Sequence, residues 1–149
     1  MKEQIVIVTG TPGTGKTTLA RKLAKKHRYE YIDVNRVVRK EKLSEGYDRK
    51  RMTMIVDEKR LAKALEKMIR KARKEGRKLV IDSHLSHYVS PKLVDLCIVT
   101  KCSLKKLHKR LRKKGYHKSK IEENMECETM DIILEEAKEI GHRVKIVET

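Results

Sequence analysis

Short runs of apolar and β-branched residues recur along this chain, separated by longer stretches in which apolar positions repeat every three or four residues. The runs lie at Gln4–Thr9, Glu30–Val34, Lys78–Asp82, Asp95–Thr100 and Arg143–Glu148. Several are continuous rather than alternating, as a strand must be when helices cover both faces of a parallel sheet. The stretches between them read as helices. Leu19–Lys26 follows the first run, and Leu61, Leu65, Met68, Ile69 and Ala72 repeat at helical spacing within Asp57–Glu75, before a stop at Gly76. Ser103 is placed to cap Leu104–Lys114, which Gly115 closes. Ile121, Met125, Ile132, Ile133, Ala137 and Ile140 predict one helix that ends at Gly141. Alternating strands and helices give an α/β three-layer fold, and residues 1–149 make a single domain with room for a core. Two inserts break the rhythm, Lys42–Asp48 with its continuation to Ile55, and Gly115–Lys118. In an open α/β sheet the ligand crevice lies beyond the C-terminal strand ends, so an insert on that side is a candidate flap.

Composition narrows the chemistry. Hydrophobic residues make up 38% and charged residues 40%, and with no Trp or Phe the core must be built from Ile, Leu, Val, Met and Ala. Abundant Lys and Glu with few aromatics is the composition of heat-adapted proteins. The formal net charge of +17 favours anionic partners such as nucleotides, RNA or an acidic protein surface. From Leu96 to Ile121 there is no acid, while Lys101, Lys105, Lys106, Lys109, Arg110, Arg112, Lys113, Lys114, Lys118 and Lys120 all fall there. A solvated helix face accounts for part of this block. Cys97, Cys102 and Cys127 lack zinc-site or disulfide spacing, and Cys97 reads as a small buried hydrophobe. Without a leader or long apolar stretch, the expectation is a soluble, cytoplasmic protein, nuclear if eukaryotic, with no membrane partner.

The sharpest motif is Gly10-Thr11-Pro12-Gly13-Thr14-Gly15-Lys16-Thr17-Thr18, which satisfies the G-x-x-x-x-G-K-[ST] phosphate-binding pattern between a strand and a helix. Glycines let backbone N–H groups converge on an anion, and the helix N-terminus adds positive potential. Gly10, Gly13, Thr14, Gly15, Lys16, Thr17 and Thr18 are therefore assigned to the phosphates of a nucleoside triphosphate. Lys16 reaches the β- and γ-phosphates and Thr17 ligates Mg²⁺. Asp82, at the end of Leu79-Val80-Ile81, is the carboxylate expected near that metal. His84, two residues on, is either an ordinary loop histidine or a group that orients water or relays a proton near the γ-phosphate. His87 reads as structural.

These residues, with Tyr31-Ile32-Asp33-Val34, Arg39, Leu43 through Gly46-Tyr47-Asp48, Asp57-Glu58 with Arg60, Arg110-Leu111, Gly115-Tyr116, Lys120-Ile121, Asn124 and Glu128, resemble the adenylate kinase isoenzyme 6 family. That is the small nuclear or archaeal adenylate kinase and ribosome-assembly ATPase. The resemblance runs from residue 4 to about residue 148. It implies a P-loop NTPase fold of nucleoside-monophosphate kinase type, with a five-stranded parallel sheet, a monophosphate flap at 33–56 and a lid at 113–123. It implies ATP and Mg²⁺, conversion of ATP and AMP to two ADP with broad acceptor tolerance, and ATP hydrolysis. Asp33 and Arg39 would bind the monophosphate. Arg110 and the lid cations, Lys114 among them, would stabilise the transferring phosphoryl group. The setting it implies is small ribosomal subunit maturation, with a small-subunit ribosomal protein and rRNA as partners.

Three departures from the family qualify these expectations. Lys114-Gly115-Tyr116 stands where the family has Arg-Gly-Tyr, a point charge in place of a planar fork. The sequence reaches only Thr149, where the family continues with a loop against adenine and a final helix; either the chain is shortened or base recognition is relaxed. The chain is also strongly basic where family members are often acidic or near neutral. Asp82-Ser83-His84-Leu85-Ser86 lacks the arginine that ordinary adenylate kinases carry here, which points to slow kinase turnover and a larger share of hydrolysis. Two other readings stay open: an RNA- or ribosomal-protein-binding ATPase switch, and a P-loop kinase for another acceptor.

Overall fold

The computed structural model describes residues 1–149. In chain order the elements are β1 (Ile5–Gly10), α1 (Lys16–His27), β2 (Glu30–Asp33), α2 (Val34–Lys40), β3 (Ser44–Asp48), β4 (Thr53–Val56) and α3 (Glu58–Lys74). They continue with β5 (Leu79–Asp82), β6 (Leu96–Lys101), α4 (Leu104–Lys113), α5 (Lys118–Thr129), α6 (Ile132–Ile140) and β7 (Val144–Glu148). Short 3₁₀ turns at Ser86–Tyr88 and Pro91–Leu93 join β5 to β6. The five expected strands form one parallel sheet in the order β2-β5-β1-β6-β7.

Both faces of the sheet are covered, which explains the unbroken apolar runs. Along β1, Ile5 and Ile7 face a core shared with α2, α3 and α6, including Val38, Leu65, Ile69 and Ala137. Val6 and Val8 face the opposite way, against Ala20 and Ala24 of α1. A third, small cluster of Cys102, Leu107 and Leu111 seats α4. Side chains cap α3 and α4: Asp57 accepts from the N–H groups of Lys59 and Arg60, and Ser103 from that of Lys106.

Two regions differ from the sequence reading. The first insert is an antiparallel hairpin, β3 with β4. Ser44-Glu45-Gly46-Tyr47-Asp48 has no apolar alternation because β3 is almost wholly exposed; only Met54 and Val56 of β4 pack on the core. The Asp48 carboxylate accepts from the N–H groups of Lys50 and Arg51 at 3.0 Å each, and Met52 adopts φ +52 to close the turn. The expected helix from Ile121 to Ile140 is instead two helices, α5 and α6. Asp131 breaks it in the left-handed region at φ 51, a conformation that aspartate tolerates better than most residues. Lys101 fixes the break by pairing with both Asp131 and Glu128.

The sheet register sets the site. Asp82 lies opposite Val8 on one side and Asp33 on the other, and Gly10 lies opposite Thr100. The glycine loop and both aspartates thus share the C-terminal edge. Gly10 has φ +146, and a Cβ there would sit 2.7 Å from the Thr100 carbonyl oxygen, so this strand exit admits only glycine.

The opposite edge of the sheet is tied by Asp95. Its Oδ2 accepts from Gln4 N at 3.0 Å and Ile5 N at 2.8 Å, while Oδ1 receives Arg73 Nη2 at 3.1 Å. Asp95→Ala strands these donors and is expected to cost about 2 kcal/mol in urea unfolding followed by circular dichroism. Removing one of the two exposed partners of Arg77 by Glu75→Ala is expected to cost less than about 0.5 kcal/mol.

Candidate phosphoryl-transfer site

Gly15, left-handed at φ 87, leads into α1, which carries no acid in its first turn. The positive end of the helix dipole is therefore not neutralised locally. Hydroxyls brace the loop before it. Thr14 Oγ1 donates to the Thr11 carbonyl at 2.6 Å and lies 2.7 Å from Thr100 Oγ1. Gly13 rests on α4, where a Cβ would meet Leu107 and Leu111 side-chain carbons at 2.9 Å. Gly10 and Thr14 shape the loop from beneath, with the Thr14 side chain fully buried.

Lys16, Thr17 and Asp82 meet at the head of α1. Thr17 Oγ1 donates to Asp82 Oδ2 at 2.7 Å, and the Tyr31 hydroxyl donates to the same oxygen at 2.7 Å. Lys16 Nζ donates to the Thr11 carbonyl at 3.2 Å. Burial lowers the Lys16 ammonium to about 8, with Asp82 opposing and Lys114 adding to the shift. Burial, with the Asp82 contact second, raises the Tyr31 phenol to about 12, so it stays a donor. His84 lies beside this group. Burial, then the Lys16 charge, depresses its imidazole to about 3, so it is neutral at pH 7 with one donor and one acceptor nitrogen.

Two cavities open on either side of these residues. One, of about 630 Å³, is lined by Gly13, Gly15, Lys16, Thr17, Thr18, Arg110, Lys113, Lys114 and Thr149. Arg110 crosses its wall, donating to Thr149 Oγ1 at 2.9 Å. The other, of about 530 Å³, runs under the β3–β4 hairpin and α5. Asp33, Asp82, His84, Tyr31, Tyr88 and Tyr116 line it, with Lys16, Arg21, Arg51, Lys114 and Lys120 as its cations. Gly13, Lys16, Thr17 and Lys114 belong to both.

Of the residues expected at the site, the structure brings together the phosphate loop, Asp82, His84, Asp33, Arg110 and Lys114. Asp33 also caps α2, accepting from Asn35 N at 3.0 Å. Arg39 stands exposed on α2 and does not line either cavity. The guanidinium groups at the second cavity are those of Arg21, which stacks 5.3 Å over Tyr31, and Arg51. His87 is structural, as expected: it is buried, with Nδ1 2.9 Å from Thr9 Oγ1. All three cysteines are free, and Cys97 is fully buried with its thiol pushed up to about 12 by burial.

Several residues had no role assigned from the sequence. Tyr31 needed the β2–β5 register to place it on Asp82. Glu128 is a buried carboxylate that accepts from Thr11 Oγ1 at 2.9 Å and Cys102 N at 3.1 Å, and pairs with Lys101 at 3.0 Å. It fastens α5 to the phosphate loop; in the sequence it stood only among the residues of the family resemblance, with no role attached. The hairpin tip reaches α5 through Arg51 Nε to Glu123 at 3.0 Å and Lys120 Nζ to the Met52 carbonyl at 3.0 Å.

A family profile described as an AAA domain matches residues 6–131. The chain is similar to the adenylate kinase isoenzyme 6 homolog of Schizosaccharomyces pombe, at 41% identity over 90% of this chain and 74% of that protein. It is similar to the adenylate kinase isoenzyme 6 homolog of Dictyostelium discoideum at 34% identity over 96% of this chain and 79% of that one. In fold it is similar to a deoxyadenosine kinase from M. mycoides solved with bound dATP, with a TM-score of 0.57 at 15% identity, covering 97% of this chain and 90% of that one. No helix is long and apolar enough to cross a membrane. Fold, phosphate loop and relatives agree, and the chain belongs to the adenylate kinase isoenzyme 6 family of nucleotide kinases.

Proposed function

We propose that the protein transfers a phosphoryl group from ATP to a nucleoside monophosphate, AMP foremost, and also hydrolyses ATP. The observation that carries this reading is the pair of cavities that share Lys16, Thr17, Gly13 and Lys114. A donor triphosphate on one side and an acceptor on the other would meet over the same ammonium groups. Catalysis of phosphoryl transfer is chiefly positioning and charge stabilisation, which is what such a shared cationic floor supplies.

The residues divide the work. Lys16 and the loop N–H groups hold the β- and γ-phosphates, and Arg110 and Lys114 flank the donor side. The Thr17 hydroxyl and Asp82 carboxylate, 2.7 Å apart, are hard oxygen donors suited to Mg²⁺ beside phosphate oxygens, and they would hold it. When bound, the metal neutralises developing phosphate charge. Neutral His84 orients the acceptor or a water rather than storing a proton. The segment 33–56 acts as the monophosphate flap, with Asp33, Arg21 and Arg51 facing the acceptor and Arg39 joining when it closes. The segment 113–123 acts as the lid. The resemblance drawn from the sequence motifs extends the proposal to a role in small ribosomal subunit maturation, with ribosomal protein and rRNA as partners, in the cytoplasm or, in a eukaryote, the nucleus. A second reading, an ATPase switch with little kinase activity, is favoured by the exposed cations of α4, Lys105, Lys106 and Lys109.

Two measurements test these roles. ADP formation from ATP·Mg²⁺, with and without a panel of monophosphates, is expected to depend on AMP and to fall at least about a hundredfold in Lys16→Ala. ADP release that ignores every acceptor and falls in His84→Ala would favour the switch, and activity unchanged in Lys16→Ala would remove both readings. The second concerns pH. A bound phosphate favours the Lys16 ammonium and raises its pKa above about 8. ATP binding is therefore expected to take up a proton at pH 9 but little at pH 7, with affinity falling by up to about tenfold per unit above pH 8. Calorimetry in buffers of different ionisation enthalpy reads this directly, and equal proton uptake at both pH values would count against a Lys16–phosphate contact.

A further inference from the structure

Outside the two cavities at the phosphate loop, a third hollow of about 580 Å³ lies on the outer side of α4 and α5. Its floor is apolar: Tyr116, Ile121 and Met125 pack against the Cys102, Leu107 and Leu111 cluster. Its rim carries the cations Arg112 of α4 and Lys118 at the start of α5, with the His108 imidazole one helical turn before Arg112. Lys105 lies one turn before His108 on the same side of α4, so the positive stripe continues past the hollow. The single acid at the hollow, Glu122, lies 3.8 Å from Lys118 and leaves Arg112 without a carboxylate.

We propose that this groove docks an acidic amphipathic peptide segment of a partner protein, with aliphatic or aromatic anchors on the floor and carboxylates along the rim. Charge complementarity selects the occupant: the rim offers guanidinium and ammonium groups, and α4 has no acid of its own to satisfy them. The floor decides between an acidic peptide and RNA. Three partly buried apolar side chains at the bottom reward burial of a hydrophobic anchor, which a phosphate backbone does not carry. A helix laid between two helices is the mode that suits this shape. The hollow shares Tyr116 with the second cavity, and Tyr116, Lys118, Ile121 and Glu122 with the proposed lid; its test reads peptide binding and does not depend on the kinase reading.

The probe is a fluorescein-labelled synthetic 16-residue peptide with Leu and Phe at every third or fourth position and Glu at the others, followed by fluorescence anisotropy at 50 mM salt. Saturable binding is expected to the full chain, weakened at least tenfold in Arg112→Glu and about fivefold in Met125→Ala, while far-ultraviolet circular dichroism and ATP affinity stay unchanged. A single-stranded RNA of equal charge is expected to respond to Arg112→Glu but not to Met125→Ala. Absence of saturable peptide binding overturns the proposal. So does peptide affinity that is insensitive to Met125→Ala, which would reduce the groove to a patch for polyanions. A lysine-rich peptide of the same anchor pattern is expected not to bind, and its binding would equally overturn the charge assignment.

Discussion

One carboxylate organises the working edge of this molecule. Asp82 receives the Thr17 hydroxyl from the head of α1 and the Tyr31 hydroxyl from β2, both on a single oxygen. It is also the chief influence that keeps the Lys16 ammonium charged against burial. Three segments distant in sequence are thereby held to one point, and the parallel register of β5 with β1 and β2 leaves that point no freedom to slide. Around it the structure gathers Lys16, Lys114, Lys120, Arg21 and Arg51. Like charges this close repel, so their gathering must be held by packing and by fixed anions such as Asp82.

Glu128 plays the corresponding part on the far side of the loop. A buried carboxylate is costly unless its oxygens are filled, and here Thr11, Cys102 N–H and Lys101 fill them. The same Lys101 holds Asp131, where the chain leaves α5 and turns into α6. The helix break and the seat of the phosphate loop are therefore one structure. α6 then packs on the sheet while α5 packs on α4, a division that one continuous helix could not achieve.

The strands and the phosphate loop were legible because burial on both faces forces uninterrupted apolar runs, and because a polyphosphate cradle demands glycine at fixed spacing. Ser103 could be read as a cap because its side chain performs that one local task. The β3–β4 hairpin was hidden since Ser44–Asp48 buries nothing, so its sequence bears no period. The α5–α6 break was hidden because apolar spacing continues through it; the cause is a long-range pair to Lys101 on another element. At the site, residues whose role follows from the motif, such as Lys16 and Thr17, could be named in advance. Tyr31 and Arg51 depend on strand register and on a hairpin tip, which no local pattern announces, and the exposed position of Arg39 follows from how α2 turns away after its Asp33 cap.

Three of the five tyrosines, Tyr31, Tyr88 and Tyr116, line the cavity beneath the hairpin, and the chain has no tryptophan. Tyrosine emission, normally drained by energy transfer to indole, is here the whole intrinsic fluorescence of the protein. Tyr31 donates to a carboxylate and Tyr116 lies 4.0 Å beneath the Lys120 ammonium, so each ring sits next to a charge whose surroundings change when an anion arrives. The molecule carries its own optical gauge of cavity occupancy, readable without any label.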